Sequence, residues 1–397
     1  MRETTLPYSV ILMFVGTFCT HLINNIKILP VIVWGVFAIL NLRIWKLFSQ
    51  REYSRINLYV FLLCLGAVIS WYSARTIIWE YIEVAGSETK LVRVLFRCFG
   101  LLTSLLFVEN VIKYGKSLKF LSLLYKCFIF YILIIDVEAV LFISHTEIVK
   151  DDTTVEYLGG NKFTLTYANM YLAIIYYKYK KLINAFNGKT FCLLLILSLF
   201  ISAYVQCSTS VLACLVMMFF FFYRIYKRST LYKSWFYIAV ASACTSAFWA
   251  FSAVILNMGF VRKVLNFLRE TDDLSGRLIL YVNLRRAIED RPLFGYGLGN
   301  SGAVVNNVSN SFNAQNGVLD LYLQLGVYGV LFYFLILIYF LKETKIHSSS
   351  HSILCFLYVI LIISMVEIPL SFSTLFIASL ALIAPQKIIS YEKAANH

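Results

Sequence analysis

Apolar runs long enough to cross hydrocarbon recur along most of the chain, and that recurrence leaves few folds open. A transmembrane helix needs about 20 predominantly apolar residues. Runs of this kind read at 8–25, 29–45, 57–74, 92–112, 120–143, 164–182, 190–206, 209–223, 235–257, 318–341, 352–369 and 371–386. Water is absent from the bilayer core, so the backbone of each run must satisfy itself, and helices do so. The expectation is an all-α polytopic integral membrane helical bundle of about twelve spans. It forms one unit over 1–397.

Charge fixes the register of these spans. With the N-terminus inside, the inner connectors hold twenty basic residues, among them Arg43, Lys116, Lys181, Arg224 and Lys345. Four acids stand against them, Glu3, Glu52, Glu343 and Glu392. The outer connectors are acidic or mixed, with Glu80, Glu83 and Glu88, then Glu147, Asp151, Asp152 and Glu156. Lys and Arg accumulate on the cytoplasmic side of membrane proteins, so both termini are expected in the cytoplasm. The net charge of +14 is spread over short connectors, not gathered on one helix or tail, which argues against a nucleic-acid partner.

The long outer loop, 259–318 between the ninth and tenth runs, is too polar to lie in lipid. It carries Arg262, Lys263, Arg269, Arg277, Arg285, Arg286 and Arg291. Within it DDLSGRLILYVNLRRAIEDRP reads as a helix ended by Pro292. At about 100° per residue, Arg277 falls in the middle of the apolar face made by Leu280, Tyr281, Leu284 and Ile288. Arg285 lies on the border nearest to it. A guanidinium on a buried face is costly without an anion, and its fork suits a phosphoryl group. A structural ion pair with Asp272, Asp273 or Asp320 is the competing reading.

Downstream, Gly295, Gly297 and Gly299 alternate in PLFGYGLGN, a pattern able to form an anion-holding nest. Asn313, Gln315 and Asn316 stand at the mouth of the next span, where Asn316 is either a helix cap or a ligand. Asp320 lies about one turn into that span, and an intramembrane acid is usually paired or functional. Arg93 and Arg97 share a helix face, and with Arg75 they would line a basic cavity open to the outside. Lys126, Asp136, Glu138, Glu109 and Glu367 are further intramembrane charges to which the sequence assigns no role. The nine cysteines fall in or beside apolar runs, so no disulfide framework is expected. His347 and His351 are read as solvated, and no metal or other cofactor is implied.

The order SGR, helix, DRPLFGYGLG, then QNGVLDLYLQLGVYG resembles the bacterial O-antigen polymerase/ligase superfamily, which includes the Wzy-type polymerases. GGNKFTLTYANMYLA, with Asn161, Phe163 and Asn169, is similar to the segment opening a middle span there. YVQCSTSVLACLV, with Ser208 and Ser210, is similar to its Ser-containing span start. The resemblance covers about residues 155–345. It implies a GT-C-like bundle whose long loop is periplasmic, in the bacterial inner membrane. It also implies glycosyl transfer from an oligosaccharide on undecaprenyl pyrophosphate, with membrane lipids and a chain-length regulator as further partners. Arg277 corresponds to the arginine that holds the pyrophosphate. The family's His-Asn is here Gln315-Asn316. Gln is no general base, so Asp320 is the first choice for that role. The change points away from a ligase and towards a polymerase.

The expectation is therefore a polymerase of lipid-linked repeat units for O-antigen, capsule or exopolysaccharide. Catalysis falls to Arg277, Gln315 and Asp320. Binding falls to Arg285, Arg93, Arg97, Arg75, Asn316, Asn313, Gly297 and Gly299. The alternatives are an O-antigen ligase and a transporter or flippase. The charge register is tested by reporter fusions: a cytoplasm-specific reporter is expected to be active after His397, and a periplasm-specific one at position 265. The reverse pattern would invert the topology.

Overall fold

The computed structural model of the chain describes residues 5–20, 28–42, 55–85, 91–141, 145–149, 152–247, 259, 274–309 and 314–384. Among them lie fourteen α-helices: α1 (Leu6–Phe18), α2 (Leu29–Leu40), α3 (Arg55–Ala85), α4 (Leu91–Lys113), α5 (Ser117–Leu141), α6 (Lys162–Leu182), α7 (Gly188–Tyr204), α8 (Ser208–Phe222), α9 (Ser234–Ser242), α10 (Leu274–Asp290), α11 (Ser301–Ser309), α12 (Gly317–Thr344), α13 (His351–Ile363) and α14 (Phe372–Ser379). Stretches within Arg55–Arg75, Leu91–Lys113, Ser117–Leu141 and Gly317–Thr344 are long and apolar enough to cross a membrane. Seven further apolar helical stretches are shorter. The protein is thus a helical, multi-pass membrane protein, with fewer full-length spans among the described residues than the hydropathy reading expects.

Two departures have physical causes. The connector before α6 is not featureless: β1 (His145–Val149), β2 (Asp152–Tyr157) and β3 (Gly160–Asn161) form an antiparallel sheet. The alternation of polar and β-branched residues in HTEIV and DTTVEY suits a strand rather than a coil. The apolar run at 352–369 does not stay helical to its end. α13 stops at Ile363, and the chain passes through SMVEIPLS before α14 begins. Pro369 denies the helix a donor, and Ser371 caps the new one by accepting from Thr374 N.

The third departure organises the half of the bundle that carries the long loop. α12 is broken at Gly326, where φ is 64° and ψ is −166°. An unbroken helix would pair Val327 N with Leu323 O and Tyr328 N with Gln324 O. Instead the segment Pro292–Gly297 threads into the gap and takes both ends of both bonds. Val327 N donates to Pro292 O (2.9 Å) and Tyr328 N to Leu293 O (3.2 Å). In return Tyr296 N donates to Leu323 O (2.7 Å) and Gly297 N to Gln324 O (2.9 Å). Two helix bonds are exchanged for four between segments, so the break leaves these groups satisfied at membrane depth.

α3 braces this joint. Ser70 Oγ donates to Gln324 O (2.8 Å), Tyr328 Oη to Leu62 O (3.1 Å) and Arg291 Nη1 to Ser73 O (2.7 Å). The contact requires glycine on both sides. A Cβ at Gly326 would come within 2.3 Å of Leu293 C, and one at Gly295 within 2.5 Å of Leu323 O. Both have positive φ, 64° and 63°. Gly326→Ala is expected to cost at least about 2 kcal/mol through left-handed strain and backbone collision. It should lower the detergent melting temperature well below that of Gly35→Ala, whose Cβ meets nothing within 4 Å. Equal melting of the two variants would refute the joint.

Candidate active site at the outer end of the bundle

The helix carrying Arg277 is present, and its apolar face is the one the sequence specifies. Leu280, Tyr281, Leu284 and Ala287 are buried, joining Tyr296, Val304, Val305, Ala314, Leu319 and Leu323 in a second hydrophobic core apart from the main one. Met365 and Val366, from the break between α13 and α14, pack against it. Tyr281 Oη donates to Gln315 O (3.2 Å). Position 277 lies one turn before Tyr281 on the same face, while the Arg277 side chain is outside the described part of the structure. Asn313 also lies outside the described residues.

The remaining candidates separate into those that hold the fold and those that face solvent. Asn316 is the cap of α12: its buried side chain accepts from Val318 N (3.1 Å) and Leu319 N (3.0 Å) and donates to Met365 O (3.5 Å). The glycine loop is not an anion nest at Gly297 and Gly299. Their amides donate to Gln324 O (2.9 Å) and Gln324 Oε1 (2.8 Å). The sequence reading is corrected on this point: these amides serve the helix joint, and at Gly295 a Cβ would meet the Leu323 carbonyl at 2.5 Å.

Asp320 is buried and accepts from Gln324 Nε2 (2.6 Å). It orients Gln324, which in turn holds Gly299. Arg285, expected on the border of the apolar face as a cation supporting Arg277, is found on the exposed side of that border. Arg285 is exposed and pairs with Glu289 at 2.8 Å, because position 285 falls outside the buried stripe of α10.

Arg93 and Arg97 are exposed, yet they stand on the stripe of α4 whose other members, Val94, Leu101, Ser104, Leu105 and Val108, are buried. The inward face of α4 is therefore open to solvent at its outer end, where the arginines sit. Arg75 is exposed on α3 with its guanidinium 6.0 Å from the Trp71 ring, and Trp71 backbone lies against Gly297. An apolar groove of about 600 Å³, lined by residues including Val31, Phe61, Leu65, Val92 and Phe99, lies on the other side of α4. It is separate from the polar site. At the opposite end of the bundle His351 is half-buried, with its ring 4.6 Å from Tyr226, and His347 bonds Ser349. The expectation that both histidines are simply solvated does not hold.

Three further segments meet at the outer end. Asn161 caps α6 by accepting from Thr164 N (3.0 Å). Thr166 Oγ1 lies 2.6 Å from Ser210 Oγ at the start of α8, and Lys162 Nζ donates to Gln206 O (3.4 Å). Asn169 Nδ2 donates to Asp136 Oδ1 (2.9 Å), on α5. Gly317 N donates to Ser364 O (2.9 Å), tying the start of α12 to the α13–α14 break. That break, with Glu367, packs against the start of α12, a contact that sequence reasoning missed. The acid within an apolar run was its one visible signal.

Helical spans that gather polar side chains and an arginine-bearing loop region at one end define a multi-pass membrane protein with a polar site at that end of the bundle. Residues 170–334 match the family model described as O-antigen ligase, Wzy_C, and the chain carries that family's domain. Members are membrane proteins of polysaccharide biosynthesis, glycosyl-transfer enzymes of the polymerase and ligase type that use lipid-linked oligosaccharides. No curated protein matches the chain. The matched span runs from within α6 to within α12 and includes Ser210, α10, the glycine loop, Gln315, Asn316 and Asp320.

The capping role of Asn316 predicts that Asn316→Ala loses about 1 kcal/mol. The loss reads as a lower melting temperature in detergent, and Asn316→Asp, which keeps the acceptor, is expected to recover it. Unchanged melting with lost turnover would instead make Asn316 a substrate ligand.

Proposed function

We propose that the protein is a Wzy-type polysaccharide polymerase. It joins undecaprenyl-pyrophosphate-linked oligosaccharide repeats on the periplasmic side of the bacterial inner membrane. The observation that carries this reading is the bond from Tyr281 to Gln315 O, which sets the helix face of position 277 against the Gln315–Asn316 turn. Leaving group and acceptor are thereby served from two segments in contact.

In this reading Arg277 holds the donor pyrophosphate. An acceptor sugar hydroxyl attacks the anomeric carbon, the bond to the pyrophosphate oxygen breaks, and the lipid pyrophosphate leaves with the electron pair. Charge grows on that leaving group, so a cation fixed beside it stabilises the transition state more than the ground state. Arg93, Arg97 and Arg75, exposed at the outer end, supply further positive field for an anionic lipid. Gln315, held at φ 48° at the mouth of α12, is suited to hydrogen-bonding the acceptor rather than deprotonating it. Asp320, tied to Gln324, supports the joint beneath the site.

The test uses purified protein in nanodiscs with a polyprenyl-pyrophosphate repeat unit, excess chelator and no nucleotide. A ladder of repeats is expected from the wild type. Arg277→Ala should reduce its rate by about 100-fold or more, the scale of removing one oxyanion-type donor. If native substrate yields no ladder but single transfer to a lipid A core acceptor, the protein is a ligase. Movement of intact substrate across the bilayer without transfer would make it a flippase.

A further inference from the structure

We infer that the end of the bundle opposite the long loop holds the phosphate head of an anionic phospholipid, gripped by Arg224 and Arg228 between α8 and α9. This site is independent of the glycosyl-transfer reading above. Two segments meet at that end, 178–189 and 223–234, and together they contain eight Lys and Arg residues and no Asp or Glu. Arg224, Lys227, Arg228 and Lys233 are exposed. Unlike Arg285, which has Glu289, none of these four pairs with a carboxylate among the described residues. Like charges gathered in this way repel one another unless an anion lies among them.

Positive charge alone sets the topology of a connector, and for that it needs no fixed shape. This connector has one. Two 3-10 turns, Ile225–Lys227 and Ser229–Tyr232, fold it tightly. Tyr232 Oη donates to Tyr226 O (2.8 Å), and Tyr358 Oη of α13 donates to Leu231 O (2.8 Å). Arg224 is left-handed, at φ 51° and ψ 33°, a conformation that a residue with a Cβ keeps only where its surroundings impose it. Arg224 and Arg228 thereby flank a single turn that contains Lys227. Their guanidinium forks suit phosphate oxygens. Ring contacts join the other segment to this one. Lys181 Nζ lies 4.7 Å from the Phe186 ring and 5.9 Å from Tyr177. Tyr177 lies 5.2 Å from Phe221, and Phe221 5.3 Å from Tyr226. Lys181 therefore adds its charge to the same patch.

The depth of the patch selects a lipid. Phe222, Tyr223 and Trp235 flank the cations in sequence and are 70%, 72% and 61% exposed. Exposed aromatic rings at the ends of membrane helices mark the level of the headgroups. From that level an apolar, exposed stripe runs along α8 through Phe222, Phe219 and Leu215, spaced for one helix face. Trp235 and Ile238 make a second such stripe on α9. Acyl chains lie along these stripes while the phosphate sits between the arginines. The chains by themselves give no selectivity, because bilayer tails are as apolar as the helix surface. Selectivity comes from the charged head. α8 and α9 both pack on Tyr358 of α13, through Phe220 (6.2 Å), Phe236 (6.2 Å) and Tyr237 (5.3 Å). A lipid bound across the α8–α9 connector thus bridges helices that share one contact, and its binding stabilises the folded bundle.

The experiment uses the full chain in nanodiscs of phosphatidylcholine, with or without phosphatidylglycerol, and native mass spectrometry of the detergent-released protein. Wild type is compared with Arg224→Gln/Arg228→Gln and with Lys119→Gln/Lys345→Gln, which removes the same charge elsewhere at that end. Phosphatidylglycerol is expected to raise the wild-type melting temperature by about 3 °C or more, and the rise should vanish in about 1 M salt. The arginine variant should retain phosphatidylglycerol about tenfold less and lose the rise, while the lysine variant keeps both. Equal retention by the two variants overturns the site, and so does retention of phosphatidylcholine equal to that of phosphatidylglycerol. A rise matched by inorganic phosphate in phosphatidylcholine discs marks a site for soluble anions and overturns the lipid assignment. If the Gln variant does not fold, Arg224→Lys/Arg228→Lys takes its place. Its retention must then fall at least about threefold, because lysine lacks the bidentate fork. None of these readouts uses turnover, so failure here leaves the polymerase reading standing, and the reverse.

Discussion

The loop-bearing half of this protein depends on an exchange of backbone hydrogen bonds at Gly326. A helix broken inside a bilayer leaves donors and acceptors that water cannot reach. Here they are met by Pro292–Gly297, whose carbonyls and amides replace the missing helix partners one for one. The consequence is geometric. The outer loop is sewn into α12 and braced by Ser70 and Ser73 of α3, so α10 and α11 are held at the bundle's outer end by main-chain bonds. Main-chain bonds of this kind fix position in a way that apolar packing, which tolerates sliding, does not.

That joint explains why the polar residues nearest to it serve architecture. Gln324 lies at its centre, accepting from Gly297 N and Gly299 N while donating to Asp320. Asn316 closes the start of the same helix. The residues left as candidates for chemistry stand at the rim: position 277 on α10, the Gln315 turn and the exposed arginines of α3 and α4. The two helix interruptions, at Gly326 and between Ile363 and Phe372, have different consequences. The first is filled by backbone. The second lays its chain against the Gln315–Gly317 turn.

How much of this was legible in the sequence depended on how local the signal was. Most of the apolar face of α10 could be read by wheel, because helix periodicity is set within two turns: Leu280, Tyr281 and Leu284 are buried as expected, Ile288 is half-buried, and Ala287 joins them. The cap at Asn316 was one of two readings that composition allowed. The glycines were visible as glycines, but their partner was not: nothing in PLFGYGLGN names Leu323 and Gln324 as the groups it meets. Arg285 sat within one residue of the predicted face and still turned outward to Glu289. A border position is decided by neighbours, not by period.

The sequence by itself determined that this chain is a multi-pass helical membrane protein with one long polar loop, since hydrophobic length and backbone satisfaction in lipid permit little else. It also carried the resemblance to a family whose model matches residues 170–334. Tertiary structure alone decided which polar groups are spent on holding the loop and which stand at the rim. Hydrogen-bond partners in a bundle are chosen by helices packing side by side, across separations in sequence that no local pattern encodes.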